Sequence, residues 1–252
     1  MALSADGPVV GISVGGGRSW RTNGPTYRAY ARAVLEAGGN PVPVGLNGDP
    51  DLKNCDGLLV PGGWDIHPRH YEPPPGDQSL QHEEIIQKYG VRTEQERDGP
   101  EFSLIRQALQ ADLPLLAICR GIQSLNVVLA RRLIPDIEMC LPGSLPHRSP
   151  PLPGPSLTHP ASIAQGSLLE RLYGTRELTV NTRHHQGITT EMVPEVLRVT
   201  AIAPDGVVEG VEGTSQRFLV GVQWHPERRA DEYVYERSRP LFEAFVRACG
   251  GR

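Results

Sequence analysis

The sequence has almost no lysine, no long hydrophobic run and no closely spaced cysteines, and each shortage excludes a class of protein. Its apolar stretches all fall short of the roughly 18 residues that a membrane-spanning helix needs. The N-terminus also lacks a basic segment followed by an apolar core, so we expect no signal peptide. These features predict a protein without a membrane partner that works in the cytoplasm.

Charge and cysteine content narrow the choice further. The net charge is -4 and only Lys53 and Lys88 are lysines, so nothing indicates a nucleic-acid partner. Four widely spaced cysteines form no CxxC pair, at Cys55, Cys119, Cys140 and Cys249. We therefore expect neither a disulfide framework nor a metal site, and the His-x-x-His pair at His67 and His70 is weak evidence for one.

The first half of the chain alternates between short apolar runs and helical patterns. Its 252 residues are enough for one large domain. Strands are predicted at residues 8–14, 41–46, 55–63 and 114–119, and helices at 25–39, 101–113 and 121–133. This alternation predicts an α/β fold with a mostly parallel central sheet flanked by helices.

The pattern changes in the second half. Residues 134–160 are rich in proline, serine and histidine and, like residues 66–100, are interpreted as long loops. Further strands are predicted at residues 177–181, 196–203, 207–213 and 218–224, as an extra antiparallel region. A closing helix is predicted over residues 231–250, which Pro240 could interrupt. We expect one domain over residues 1–252.

A cysteine stands where a predicted strand turns into a helix. The segment Ala117-Ile118-Cys119-Arg120-Gly121 has small residues two positions before and after Cys119. A nucleophile on such a turn is presented at the edge of the sheet. The helix N-terminus favours a thiolate, and the Arg120 N–H can face a developing oxyanion. The alternative is a buried cysteine that only fills space.

A matching base ends another predicted strand. His225 follows the apolar run at 218–224, with Glu227 two residues later. A histidine there can accept the thiol proton, and the acid can hold the ring in place. The alternative is a His–Glu pair on the surface. The cysteine at a strand end and the His-x-Glu at another strand end together favour a catalytic site.

These segments together resemble a known family. PGG, AICRGIQ and GVQWHPE are similar to the class I glutamine amidotransferase superfamily, and more narrowly to its stand-alone hydrolases, the peptidase C26 group. YRAYARAVLEAGGNPVPV, LLVPGGWDIHPRHY, ERDGPEFSLIRQAL, VNTRHHQGI and AIAPDGVVEGVE extend the resemblance over nearly the whole chain. It implies the flavodoxin-like fold of that superfamily.

The resemblance also implies a role for each matching residue. Cys119 would be the nucleophile, His225 the general base and acid, and Glu227 the residue that orients the histidine. The N–H groups of Gly63 and Arg120 would form the oxyanion hole. The substrate would be bound by Gly62, Gln123, His184, His185 and Gln186. The residues alone also allow roles outside a binding site. Residues 62–63 could form an ordinary turn, Gln123 could be exposed to solvent, and residues 184–186 could be structural.

The implied activity is hydrolysis of a γ-glutamyl amide, such as γ-glutamyl-γ-aminobutyrate in polyamine catabolism, through a γ-glutamyl thioester. It requires a small-molecule substrate and no cofactor or metal, and the family resemblance suggests a homodimer. Two alternatives stay open. One is a glutaminase subunit that supplies ammonia to a synthase, and the other is a catalytically silent binding module on the same fold.

The chain departs from the hydrolase pattern at several places, which leaves the amine product undefined. Residues 130–133 replace a Gly-Gly-Thr-Leu segment, Thr182 replaces serine, and Trp64 and His67 lie in the loop after PGG. We expect Arg97 and Asp98 to form a structural ion pair that anchors the preceding loop.

Overall fold

A nine-stranded mixed sheet forms the centre of the protein. The computed structural model describes residues 7–21, 24–46, 49, 51–151 and 154–251. The strands are β1 Val9–Val14, β2 Asn40–Gly45, β3 Gly57–Val60, β4 Leu115–Ile118, β5 Leu157–Ile163, β6 Glu177–Thr182, β7 Leu197–Ile202, β8 Val208–Gly213 and β9 Leu219–Val222. Their order in the sheet is β2-β1-β3-β4-β9-β8-β7-β5-β6.

The sheet has a parallel part and an antiparallel part. Strands β2, β1, β3, β4 and β9 run parallel to one another. Strands β8, β7, β5 and β6 continue the sheet with antiparallel pairing. The predicted α/β class, with its parallel core and additional antiparallel strands, is confirmed.

Helices cover the parallel part on both faces. They are α1 Pro25–Glu36, α2 His82–Tyr89, α3 Gln95–Gln110, α4 Arg120–Ala130, α5 Ile137–Cys140, α6 Leu168–Tyr173, α7 Glu232–Arg237 and α8 Arg239–Cys249. One buried cluster joins α1 and α8 to the sheet, and a second joins α3 and α4 to its other face. Among the described residues, no helix combines the length and apolar character that crossing a membrane requires.

Two segments that were interpreted as loops contain regular structure. Residues 66–100 include α2 and the start of α3, and residues 134–160 include α5 and the first residues of β5. Helix α2 is short and begins with a capping box from Gln81 and Glu84, without the usual serine or threonine. The Pro100 inside α3 obscured that helix's true start. Strand β5 contains Pro160 but pairs with β7 only at its last two residues, so the proline lies beyond that pairing.

The break in the closing helix is confirmed. Helix α7 ends at Arg237, and α8 begins at Arg239 with Pro240 in its first turn, where proline is tolerated.

The turn at Cys119 is tight. Its N–H still donates to the carbonyl of Val222 on the neighbouring strand, at 2.8 Å. Its backbone then adopts φ 52° and ψ -106°, a region that favours glycine. Helix α4 begins at the next residue. A Cβ on Gly121 would lie only 2.2 Å from the carbonyl oxygen of Val60, so that position requires glycine.

A buried charge cluster anchors α4 to α3. The Arg120 guanidinium forms ion pairs with Asp98 and Glu101, and all three side chains are buried. Burial alone would raise the pKa of Glu101, but Arg120 and Arg97 lower it to about 2.

The predicted Arg97–Asp98 ion pair is not formed, because adjacent helical residues point in different directions. Arg97 contacts Glu101 instead and donates to the carbonyls of Pro61 and Gly62.

The strained turn generates a prediction about stability. Cys119→Gly should be more stable than Cys119→Ala by about 1 kcal/mol, because strain of roughly 1–3 kcal/mol is relieved and glycine's chain entropy costs about 0.5–1 kcal/mol. Urea unfolding of both variants measures the difference. At Ala29 in α1 the glycine variant should instead be the less stable one. Equal or lower stability of Cys119→Gly would show that the turn is not strained.

The charge cluster predicts a specific acid sensitivity. The folded-state pKa of Glu101 lies below its ordinary value, so its stabilisation is full above about pH 4.5 and is lost as the pH falls toward 2. Glu101→Gln should lower the free energy of unfolding by about 3–5 kcal/mol at pH 7, with the difference from wild type shrinking below pH 4.5. Glu96→Gln on the same helix, an exposed position, is the control. If the difference in free energy of unfolding between wild type and Glu101→Gln did not change with pH, the stabilisation by an ionised Glu101 would be contradicted.

Candidate active site

Cys119, His225 and Glu227 come together at one edge of the sheet. Cys119 ends β4 and His225 follows β9, and these two strands are parallel neighbours. The imidazole of His225 lies close enough to Cys119 to be influenced by its sulfur, and its Nδ1 lies 2.8 Å from Oε1 of Glu227. The structure therefore places the three predicted catalytic side chains in one connected chain of contacts.

Electrostatics favour a charged His225. Burial would lower the pKa of the imidazole, but the adjacent Cys119 and Glu227 raise it well above the ordinary value. Both neighbours act by Coulomb attraction and by hydrogen bonding to the protonated ring. A protonated histidine beside a thiol at a helix N-terminus is an environment that activates the sulfur as a nucleophile.

Asn181 holds the backbone of His225. Its side chain accepts a hydrogen bond from the N–H of His225 at 2.7 Å and donates to the carbonyl of the same residue at 3.0 Å. Sequence reasoning did not single out Asn181, although it lies in the VNTRHHQ segment. Its signal was only that of a polar residue ending a strand.

The glycine pair after β3 lies against the reacting groups. A Cβ on Gly62 would be 2.8 Å from Cε1 of His225 and 3.5 Å from the Cβ of Cys119. A Cβ on Gly63 would collide with the guanidinium of Arg97. The close approach of backbone to the site thus explains both glycines.

The two predicted oxyanion donors face this region from different elements. Gly63 lines cavities on both sides of the site. Arg120 is the first residue of α4, so its N–H has no acceptor within the helix. Its side chain points away into the buried charge cluster.

Tyr30 is a second residue that the sequence did not reveal. Its hydroxyl accepts a hydrogen bond from the N–H of Gly62 at 2.9 Å. Burial, Glu227 and Cys119 raise its pKa well above the ordinary value, so the hydroxyl stays protonated. Tyr30 therefore holds the glycine turn from α1.

Two cavities meet at Gly63. One, of about 550 Å³, is lined by Cys119, Gln123 and the segment 183–186. The other, of about 660 Å³, is lined by Gly62, His225 and residues of α1. The site can therefore hold one group on each side of the nucleophile.

Gln123 and Gln186 both lie at the first cavity, and both are buried. The Gln123 amide donates to the carbonyl of Gln186 at 2.9 Å and to the Gln223 side chain at 3.2 Å. The Gln186 side chain accepts from the N–H of Ile66 at 3.0 Å. These amides are engaged within the protein, where they join α4 to the wall of the cavity.

His184 and His185, in the segment 183–186, contact different parts of the protein. His185 lies between Asp65 and Asp136, at 2.9 and 3.0 Å, and these carboxylates raise its pKa against the lowering effect of burial. His184 is buried, with its Nδ1 on the carbonyl of Gln186 at 2.9 Å.

The residues that depart from the hydrolase pattern lie around the site. Trp64 is half exposed and lines the first cavity. His67 accepts from the N–H of Arg69 through its ring nitrogen. The hydroxyl of Thr182 contacts His147, not the nucleophile. Only Trp64 among these is placed to touch a ligand.

The chain is similar to known proteins in sequence and in fold. The chain is 34% identical over 250 residues to Protein NtpR of Enterococcus hirae, covering 95% of this chain and 98% of that one. It is 34% identical over 238 residues to the γ-glutamyl-γ-aminobutyrate hydrolase PuuD of Escherichia coli, covering 87% and 84%. The glutaminase domain of Trypanosoma brucei CTPS, solved with bound acivicin, superposes with a TM-score of 0.61 at 16% identity, covering 96% of this chain and 93% of that one.

The last similarity shows the fold alone, whereas the relatives in sequence support a hydrolase. Residues 8–227 match the peptidase C26 family along most of the chain. The chain belongs to the peptidase C26 family.

Proposed function

We propose that the protein is a cysteine-dependent hydrolase that cleaves a γ-glutamyl amide and releases glutamate. The observation that carries this proposal is the Cys119 turn, which presents its sulfur beside a His225 that Glu227 holds at 2.8 Å. A nucleophile, a base and an orienting acid in one chain of contacts are the parts that acyl transfer needs.

In the proposed reaction, His225 already holds the proton of the Cys119 thiol, and the thiolate sulfur bonds to the δ-carbonyl carbon as the C=O electron pair moves onto oxygen. The resulting oxyanion accepts hydrogen bonds from the N–H groups of Gly63 and Arg120. The C–N bond then breaks, and His225 gives its proton to the departing amine. Water attacks the remaining thioester, His225 takes its proton, and the C–S bond breaks to free glutamate and the thiolate.

We propose that the glutamyl group occupies the cavity beside Cys119. That cavity carries both signs of charge, from Asp65 and from Arg148 and Arg183, which suits an ammonium and a carboxylate on one carbon. Gln123, His184, His185 and Gln186 would form its wall, and Gly62 would contact the substrate from the side of the second cavity. The internal contacts of the Gln186 and His184 side chains favour a supporting role for these two over direct contact with the substrate.

The leaving amine would occupy the second cavity, which is strongly basic. Five arginines line it: Arg28, Arg32, Arg183, Arg228 and Arg229. Glu227 also faces it and offsets part of this charge. Such a surface favours an amine that carries a carboxylate, as γ-aminobutyrate does, the group in the name of the Escherichia coli relative. A glutaminase subunit would release ammonia, which gains nothing from these cations.

Four further expectations from the sequence analysis are also proposals. They are a cytoplasmic location, a homodimer, one domain over residues 1–252 and a place in polyamine catabolism.

A substrate panel tests the activity. Wild type should release glutamate from γ-glutamyl-γ-aminobutyrate, and Cys119→Ala should release none. The matched substrate γ-glutamyl-butylamide lacks only the carboxylate, so its kcat/KM should be at least about tenfold lower, since hydrogen bonds to charged groups contribute about 1.5–3 kcal/mol. Arg229→Gln should reduce the ratio of kcat/KM between these two substrates, because Arg229 lines the cavity proposed for the carboxylate. Turnover of glutamine alone would instead favour the glutaminase subunit.

The raised pKa of His225 predicts how activity depends on pH. His225→Gln should lower kcat by about 10²–10⁴-fold, the usual contribution of a general acid–base. In wild type, activity should fall only where His225 loses its proton, above the ordinary histidine range. Glu227→Gln removes one cause of the raised pKa, so the fall should begin at lower pH.

Profiles of kcat/KM and of alkylation of Cys119 by iodoacetamide measure this shift. The exposed Glu236→Gln is the control, since it should reproduce the wild-type profile. An unchanged profile in Glu227→Gln would mean that the acid does not act on His225.

A further inference from the structure

A second group of buried polar side chains extends from His184, in the wall of the first cavity, into the antiparallel part of the sheet. Glu209 is on β8 and His159 on β5, while His184 follows β6 and His147 belongs to the segment before β5. All four are buried, and Glu209 is completely so. Four such residues in the interior need an explanation, because unpaired buried charges are costly.

The backbone fixes which nitrogen of two histidines carries the proton. Nδ1 of His159 lies 3.0 Å from the carbonyl of Pro160, and Nδ1 of His184 lies 2.9 Å from the carbonyl of Gln186. A carbonyl can only accept, so each ring donates through Nδ1–H. In the neutral ring, Nε2 then presents a lone pair.

Both lone pairs face the same carboxylate. Nε2 of His159 is 3.5 Å and Nε2 of His184 is 3.7 Å from Oε1 of Glu209. Within the described ranges, neither Nε2 nor either carboxylate oxygen has a hydrogen-bonding partner. The two Nε2 atoms and the Glu209 carboxylate are all hydrogen-bond acceptors, and no donor from the described residues lies between them. Such groups repel each other unless a cation or a proton lies among them.

His147 completes the group. Its Nε2 lies 2.9 Å from a carboxylate oxygen of Asp205, and its Nδ1 lies 3.0 Å from the hydroxyl of Thr182. That hydroxyl also has the carbonyl of His147 as an acceptor, at 3.1 Å. Each histidine of the group thus has one nitrogen positioned by a carboxylate or a carbonyl. This is how proteins orient histidines that bind metal.

The separations suit a small divalent cation. The possible ligand atoms of His147, His159 and Glu209 all lie within 4.8 Å of one another. Ligands about 2.0–2.2 Å from a tetrahedral zinc ion stand about 3.3–3.5 Å apart, close to the two distances from Glu209. Imidazole and carboxylate are donors that zinc accepts readily.

We propose that His147, His159, His184 and Glu209 form a buried structural site for a divalent transition-metal ion such as zinc. The ion would join β5 and β8 to the segment 183–186, which forms the wall of the first cavity. It would supply no step of the reaction, since the group is separate from Cys119.

The competing arrangement holds a proton instead of a metal. Burial raises the pKa of Glu209 to about 7, so a protonated carboxyl could donate to one of the histidines. Metal content separates the two cases directly.

The test uses the full chain with Cys119→Ala, because Cys119, His225 and Glu227 could themselves bind zinc. We expect one zinc per chain by mass spectrometry of metals after dialysis with ZnCl₂, and a visible absorption of four-coordinate cobalt with CoCl₂. Adding Glu209→Gln or His159→Gln should abolish both signals. Asp205→Asn, which only orients His147, should weaken zinc binding about 10–100-fold. The exposed His82→Gln is the matched control and should bind as the parent does.

Two results would overturn the proposal. One is a folded parent that takes up neither zinc nor cobalt, which would assign the cluster to a shared proton. The other is metal that stays bound after both Glu209→Gln and His159→Gln, which would place it elsewhere. If these variants fail to fold, the cobalt spectrum of the parent still decides.

Discussion

The backbone turn at Cys119 is the constraint on which the rest of the site depends. Strand β4 lies between β3 and β9, and the N–H of Cys119 still bonds to β9, so the last residue before the turn is fixed from both sides. One residue later the chain is already helical. Because Gly121 packs directly on the carbonyl of Val60, any larger residue there would push α4 away from β3.

The buried charge cluster connects the turn to the opposite side of the site. Arg120 anchors the start of α4 to Glu101, while Arg97, on the same carboxylate, holds the carbonyls of Pro61 and Gly62. Two separate segments that provide the proposed oxyanion donors are therefore positioned by one carboxylate on α3. A buried charge with this many partners is costly to disturb, because losing one partner leaves the others uncompensated.

Local patterns in the sequence predicted the parts of the structure that local forces determine. The parallel strands, the turn at Cys119 and the His-x-Glu segment all have short-range signatures, and each was found within a few residues of its expected position. The first turns of α3 were missed because Gly99 and Pro100 resemble a helix break. Helix α2 was missed because its capping box uses Gln81.

Contacts between distant segments were out of reach of the same reasoning. Arg97 and Asp98 are adjacent in sequence and were expected to pair, but α3 directs them to different partners. Asn181 on β6 and Tyr30 on α1 hold the backbone N–H groups of His225 and Gly62, which lie far from them along the chain. The histidine cluster has no spacing motif at all, since its members come from four segments that only the antiparallel strands bring together.

The segment from His184 to Gln186 lines the first cavity, but its side chains are engaged in contacts within the protein. Its three side chains point to three different places: His184 toward Glu209, His185 toward Asp65 and Asp136, and Gln186 back to the N–H of Ile66. Asp65 and Ile66 belong to the same loop as the glycine pair at 62–63. The segment therefore braces the loop after β3 against the antiparallel strands, and the width of the cavity beside Cys119 depends on that brace. Substitutions here would alter substrate binding through the position of the wall, even where the replaced side chain never meets the substrate.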